Sequence, residues 1–463
     1  MSAPKTLKEA ETDMRHRQHR PRGLLIVALV LIVAVLAGAC APAATPTAAP
    51  TKAPAAAAPT TAPAAPTTAP AAAPTAAPTK PAAAPTAAAA AKPPTGTPIK
   101  LGVILPLSGP QAYLGVMAKI SIDLAVEDTN AAGGVNGSPV TLVVEDSPFD
   151  PKQAVTVMRK LAETDKVFAI EGPYASAEVE VAAPLANDLK VTEVGPTLMI
   201  PEVVAAARPW AFGMNIPHET AAPRYIADFK KAYPNVKTVV LVGDTKERVT
   251  QYATKNVLPG VIKNAGLQLL DTIEFDTSLT DFSAIVTKIK GQNPDGIVLA
   301  SLLTAALTLS KELQKQQVTA KVVTNNNPLS GAIIDIGGAA VEGWVQPTLF
   351  DSEVADPAVQ SFTKRVFDRA NADPKVTAPK PKLLVSEGNY YDTAMMLFDS
   401  MRKGGVNGDT PLADARLKIQ QQFSTIKDYK GIVGLWTMGP NGHAIRQSPP
   451  SVLLTKDGYK FIR

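Results

Sequence analysis

The chain has 463 residues, with 46 lysines and arginines against 41 aspartates and glutamates, a net charge of +5, and one cysteine. A single cysteine excludes an intramolecular disulfide and a cysteine metal cluster. The small cationic excess crowds at Arg15, Arg17, Arg20 and Arg22 and gives no reason to expect a nucleic-acid partner.

These arginines precede an unbroken apolar run, Leu24 to Ala37, and the small residues Ala37-Gly38-Ala39 before Cys40. A basic stretch, an apolar core and small residues at a cleavage point mark a secretory signal over residues 1–39. The run falls short of the roughly 20 apolar residues that a mature membrane helix needs. The position of Cys40 resembles a bacterial lipobox, which implies that Cys40 is lipidated as the first mature residue. The departure is Ala37 where leucine is usual, with Leu36 one place further out. Residues 40–98 are almost wholly Ala, Pro and Thr, too poor in large apolar side chains to offset the entropy of ordering. Proline keeps such a tract extended at about 3 Å per residue. It reads as a stalk or as a glycosylated Thr/Pro segment.

From Ile99 onward about 365 residues remain, more than one core usually holds, so two lobes are expected. Ile99 to Leu105 is a buried strand ended by Pro106. Ser108, Gly109 and Pro110 turn the chain into a helix from about Tyr113 to Ala132, whose buried face carries Met117, Ile120, Leu124 and Val126. Gly133-Gly134 stops that helix, Asn136-Gly137 turns, and Val140 to Glu145 completes a βαβ unit. Asp150 caps a helix begun by Pro151. Strands follow at Val167–Ile170, Val191–Val194, Thr238–Val242, Leu267–Phe275, Gly296–Ala300 and Val322–Thr324, with helices between them. Three further helices are expected at Pro357–Ala370, Ser386–Lys403 and Pro411–Phe423. Strands alternating with helices predict an α/β fold with parallel sheets covered on both faces.

The chain lacks H-E-x-x-H, a Walker loop, a G-x-S-x-G elbow and a cysteine nucleophile in the head. No enzyme, metal or cofactor is expected. Gly133-Gly134 ends a helix instead of opening one, so it is no dinucleotide fingerprint. What the chain offers are small or polar loops at strand ends: Ser108–Tyr113, Gly172–Glu178, Gly195–Met199, Asp244–Val249, Ser301–Thr304 and Asn325–Asn327. In open α/β sheets, ligands bind at that edge, where helix N-termini present free N–H groups suited to a carboxylate.

Asn130–Gly137 (N-A-A-G-G-V-N-G), Asp150–Val155 (D-P-K-Q-A-V), Gly172-Pro173, Thr280-Asp281-Phe282-Ser283, Val341-Glu342-Gly343 and Gly431-Ile432-Val433-Gly434 carry a resemblance. Together they resemble periplasmic binding proteins of branched-chain amino-acid ABC importers. The resemblance implies a type I periplasmic binding fold: two Rossmann-like lobes, three crossovers and a ligand cleft between them. The crossovers are expected near Ile216–Glu219, Gln346–Asp351 and Lys430–Val433. Residues 99–217 and 350–430 would then form lobe 1, and 218–349 and 431–463 lobe 2.

The resemblance also implies a pocket. In lobe 1 it falls on Tyr113, Leu114, the loop Tyr174-Ala175-Ser176-Ala177-Glu178, Thr197 and Met199. In lobe 2 the positions where the family often has two tyrosines and an acid are Arg248, Leu302 and Asn326. Without an acid at Asn326, Glu178 is the candidate partner for a ligand amine, and a small carboxylate, amide or modified amino acid is expected in place of plain leucine. Arg248 would pair with an acid group or stand solvated at a helix start. The implied partners are a small-molecule ligand and ABC permease subunits, and the expected protein is a monomer lipid-anchored outside the cytoplasmic membrane. A ligand-sensing lipoprotein on the same fold is the alternative.

Overall fold

The computed structural model describes residues 92–198, 200–325, 332–373, 376, 383–456 and 458–463. The signal segment, Cys40 and the stalk up to residue 91 lie outside the described residues, as do Met199 and Asn326.

The first sheet grows from β1 (Ile99–Leu105), α1 (Ala112–Ala131), β2 (Val140–Asp146), α2 (Pro151–Arg159), β3 (Ala169–Glu171), α3 (Ser176–Leu189), β4 (Thr192–Gly195), α4 (Pro201–Ala206) and β5 (Ala211–Gly213). Its order is β2-β1-β3-β4-β5, parallel throughout. Local chemistry sets the element ends. Asp150 caps α2 by accepting from Lys152 N at 2.8 Å, with Pro151 at the first turn. After α1, Gly134 has φ +78°, and a Cβ there would lie 2.2 Å from Ser138 O. The chain can reverse there only without a side chain.

The second sheet follows: α5 (His218–Ala232), β6 (Thr238–Asp244), α6 (Arg248–Tyr252), α7 (Leu258–Asn264), β7 (Gln268–Phe275), α8 (Ser283–Gln292), β8 (Gly296–Ala300), α9 (Leu303–Lys315), β9 (Lys321–Thr324), α10 (Ala332–Gly337) and β10 (Val345–Gln346). Next come α11 (Pro357–Ala372), α12 (Glu387–Lys403), α13 (Leu412–Ser424), β11 (Tyr429–Gly431), β12 (Gly434–Met438), β13 (Ala444–Ile445), β14 (Val452–Thr455) and β15 (Gly458–Phe461). The order is β15-β14-β10-β9-β8-β6-β7, with β14 and β15 antiparallel at one edge.

Each sheet is covered twice. On one face of the first, Leu101, Val103 and Phe212 pack with Tyr390, Leu397 and Met401 of α12, Phe423 of α13, and Trp436. On the other, Ile104 and Ile170 meet Met158, Val179 and Val204 of α2, α3 and α4. The second sheet has equivalent clusters around Ile297, Leu299 and Trp344, and around Phe229, Val298 and Val345. Burying each such side chain stabilises the fold by about 1.5–3 kcal/mol.

The chain passes between the sheets after β5, after β10 and after β13. The third passage lies at 446–451, downstream of the expected Lys430–Val433. The reason is a hairpin. β11 and β12 pair antiparallel, and buried Asp392 of α12 accepts from Ile432 N (2.9 Å), Val433 N (3.1 Å) and Trp436 Nε1 (2.8 Å). Trp436, Met438 and Ala444 therefore belong to the first core. The short elements β5, α4, α10, β10 and the terminal strands were not foreseen.

Candidate functional site

The C-terminal edges of the two sheets face each other. At one end, α6 follows β6 and buries Val249, 2% exposed, in the cluster of Leu198, Ile200 and Val204 beside the first sheet. Tyr252 packs against the clusters of both sheets. At the other end, Asp335 of α10, which follows β9, brings its charge close to Tyr113 at the start of α1. The loops after β1, β3 and β4 stand at the C-terminal edge of the first sheet, and those after β8 and β9 at the C-terminal edge of the second.

On the first wall, Gly172 turns the chain at φ +104°, and a Cβ there would meet Ile104 O at 2.3 Å. This close approach sets Tyr174, which is buried and stacks on Tyr390 with centroids 5.6 Å apart. The Tyr174 hydroxyl points toward Ser386, short of a well-aligned hydrogen bond. Thr197 Oγ1 donates to Tyr174 O at 2.5 Å, and Asn215 Nδ2 donates to Thr197 O at 2.9 Å, so the loop after β4 is held from beneath. Burial, with the charges of Glu387 and Asp335, raises the Tyr113 pKa and keeps its phenol protonated.

The helix start at α3 is partly spent. Glu178 Oε2 accepts from Ala175 N at 3.1 Å, and Ser147 Oγ bonds to Oε1. Glu178 is thus a buried capping acid and does not serve as the free acid expected of it. Among the described residues, no acceptor meets the N–H groups of Ser176 and Ala177. They carry the positive end of the α3 dipole. Leu114 is half-buried and packs against the first core.

On the second wall, Arg248 Nε lies 3.4 Å from Glu180 Oε2 of α3, with side chains 37% and 44% exposed. The cation is paired across the rim. Asp244 is closed into its own turn by Thr277 Oγ1 and the N–H groups of Lys246 and Glu247. Leu302 is the half-buried residue just before α9, at its N-cap. Sealed from solvent beside it, Ser301 Oγ, Thr324 Oγ1 and both side-chain polar atoms of Asn325 have no hydrogen-bond partner among the described residues.

Sequence reasoning missed Glu387. It begins α12, and its Oε2 accepts from Val385 N (2.6 Å) and Ser386 N (3.0 Å). Burial raises its pKa, with the backbone donors opposing that effect. Its charge is felt by both Tyr113 and Tyr174. The pair Ser386-Glu387 at a helix start was visible in the sequence, but nothing there showed that this start opens between the sheets.

Residues 98–451 match the family model described as periplasmic binding protein, and the chain belongs to that family. It is 27% identical over 256 residues to Leu/Ile/Val-binding protein homolog 1 of Brucella suis, covering 53% of this chain and 65% of that relative, a little under two thirds of its length. It is 25% identical over 281 residues to the leucine-, isoleucine-, valine-, threonine- and alanine-binding protein of Pseudomonas aeruginosa, covering 60% of this chain and 72% of that one. Among solved structures, the fold is similar to the leucine-binding protein LivK from Thermotoga maritima, at a TM-score of 0.67 and 24% identity over 78% of this chain and 97% of that one. It is also similar to a solute-binding protein from R. palustris in complex with benzoate, at a TM-score of 0.66 and 16% identity over 78% and 95% of the two chains.

Proposed function

We propose that this chain is the solute-binding lipoprotein of an ABC importer of the branched-chain amino-acid type. In this reading Cys40 anchors it to the outer face of the cytoplasmic membrane, the stalk carries the head, and closure of the lobes presents the ligand to a permease. The ligand is an α-amino acid. Its carboxylate meets the free N–H groups of Ser176 and Ala177, and its ammonium meets Glu387. The observation that carries this reading is an unengaged helix N-terminus at Ser176 and Ala177 together with a buried carboxylate, Glu387, whose charge is felt by Tyr174 of the loop before that helix. Glu387 supplies the acid that is missing at Asn326, so an ordinary amino acid is restored as ligand.

The test is calorimetry on the purified protein with amino acids, their amides and amine-free acids. An amino acid should bind, and E387Q should weaken it at least about tenfold while leaving amine-free acids unchanged. The Glu387 pKa is raised in the empty site, and an ammonium favours the ionised form. Affinity should therefore fall as pH drops through that pKa in the wild type and stay level in E387Q. Preferential binding of amine-free acids would overturn the reading.

A further inference from the structure

The three passages between the lobes share one polar junction. Asn389 of α12 is fully buried and engages its side chain at both ends. Its Nδ2 donates to Met214 O at 3.2 Å and to Pro196 O at 3.4 Å, and its Oδ1 accepts from Arg446 Nη2 at 3.0 Å. Met214 lies just before the first passage, and Pro196 belongs to the loop after β4, on the first wall of the site. Arg446 opens the third passage. The same guanidinium donates to Leu349 O of the second passage at 2.5 Å and to Val433 O of the first lobe at 3.4 Å. A planar guanidinium has fixed N–H directions and holds its acceptors in one geometry. All three passages are thereby tied to the first lobe at one place.

Their ends in the second lobe are tied separately. α5 begins at His218, β10 ends at Gln346, and Ser451 N donates to Asp228 Oδ2 of α5 at 2.8 Å. Between the two sets of ties lie residues 216–217, 347–348 and 447–450. Each segment carries proline, at Pro217, Pro347, Pro449 and Pro450, and proline has no N–H to bond to either lobe. The three segments line one cavity together with Tyr225 of α5, and Thr348 Oγ1 donates to Pro450 O at 3.3 Å. They lie side by side.

We infer that Arg446 and Asn389 are positioning residues for closure: they fix the hinge to the first lobe, and the lobes turn about residues 216–217, 347–348 and 447–450. Short segments of this kind absorb the backbone rotation in hinged proteins. Through Pro196 O, the same carboxamide keeps the first wall in step with the passages. The inference rests on the lobe closure proposed above and is independent of which ligand is bound.

Nitroxide labels at D188C in the first lobe and K263C in the second, both exposed positions, report the distance between the lobes. They are placed on the full chain carrying C40S, without ligand, and read by pulsed electron–electron resonance. The hinge variants are R446K, which replaces the fork by a compact ammonium, and N389A. The control is R416K. Arg416 is a buried guanidinium of the first lobe that donates to Val167 O, Ala162 O and Leu189 O, away from the passages. All three variants should melt below wild type. R446K and N389A should broaden the distance distribution at least about twofold as further lobe orientations become populated, while R416K keeps the wild-type distribution. Wild-type distributions in both hinge variants, or equal broadening in R416K, would overturn the inference. So would a wild type already as broad as the variants. Loss of a cooperative melt in both hinge variants but not in R416K would assign the pair to the first core and equally end it. No amino acid enters the measurement, so failed amino-acid binding in the calorimetry above leaves this result standing.

Discussion

Glu171 at the end of β3 and Glu193 near the start of β4 each have both carboxyl oxygens buried and without a partner among the described residues. Register places them on opposite faces, since Glu171 pairs with Val194 and Ile170 with Glu193. Burial raises both pKa values well above the ordinary carboxyl range. A folded pKa above the unfolded one gives stability that is fully present below the unfolded value and lost as pH rises through the folded one. E171Q and E193Q should therefore melt higher than wild type at pH 9 and close to it at pH 4, as read by thermal denaturation. A variant less stable than wild type at pH 9 would show that a partner for the carboxylate had been removed. Neither acid was legible as buried: a glutamate near a strand end reads the same whether it meets solvent or a core. Gly172, one residue on, was legible as a turn, but the close approach to Ile104 behind it is a contact between strands distant in sequence.

At the scale of elements, α6 carries two adjacent residues with opposite claims on closure. The Arg248–Glu180 pair is more than a third exposed on both sides, and such pairs contribute about 0–1 kcal/mol. Val249 is sealed in the apolar cluster of the other lobe. R248A should change ligand affinity by less than about fivefold. V249D puts an unpaired charge into that cluster and should cost more than about a hundredfold by opening the lobes. Calorimetry on the two variants decides between an electrostatic and an apolar latch, and the reverse ranking would refute the apolar one. The sequence displayed Arg248 as the notable residue, in a loop ending at Val249 with one helix expected after it to about Ala265. The real segment is five residues of α-helix, a π turn over Ala253–Val257, and α7 with proline in its first turn. A single helical period does not reveal that break in register.

At the scale of the molecule, the alternation of strands and helices announced two parallel sheets, because fully buried strands and amphipathic helices write distinct periods. The passages between lobes were harder to read, since long-range polar pairings set them. Arg446 begins the third passage, donates to Leu349 O at 2.5 Å and to Asn389 Oδ1 at 3.0 Å, and lies 4.8 Å over the Trp436 ring. The return of α12, α13 and Trp436 to the first core also has a kinetic meaning. The strands β1 to β5 are synthesised first, yet the face of their sheet that α1 covers through Ala118, Ile122 and Ala125 stays incomplete until residues 387–445 exist. Contacts of such long sequence separation form slowly. A chain truncated after Gln346 should give no cooperative melting transition for the first lobe by circular dichroism, and a sharp transition would contradict this. The first lobe is thus withheld from its compact form until synthesis is nearly done.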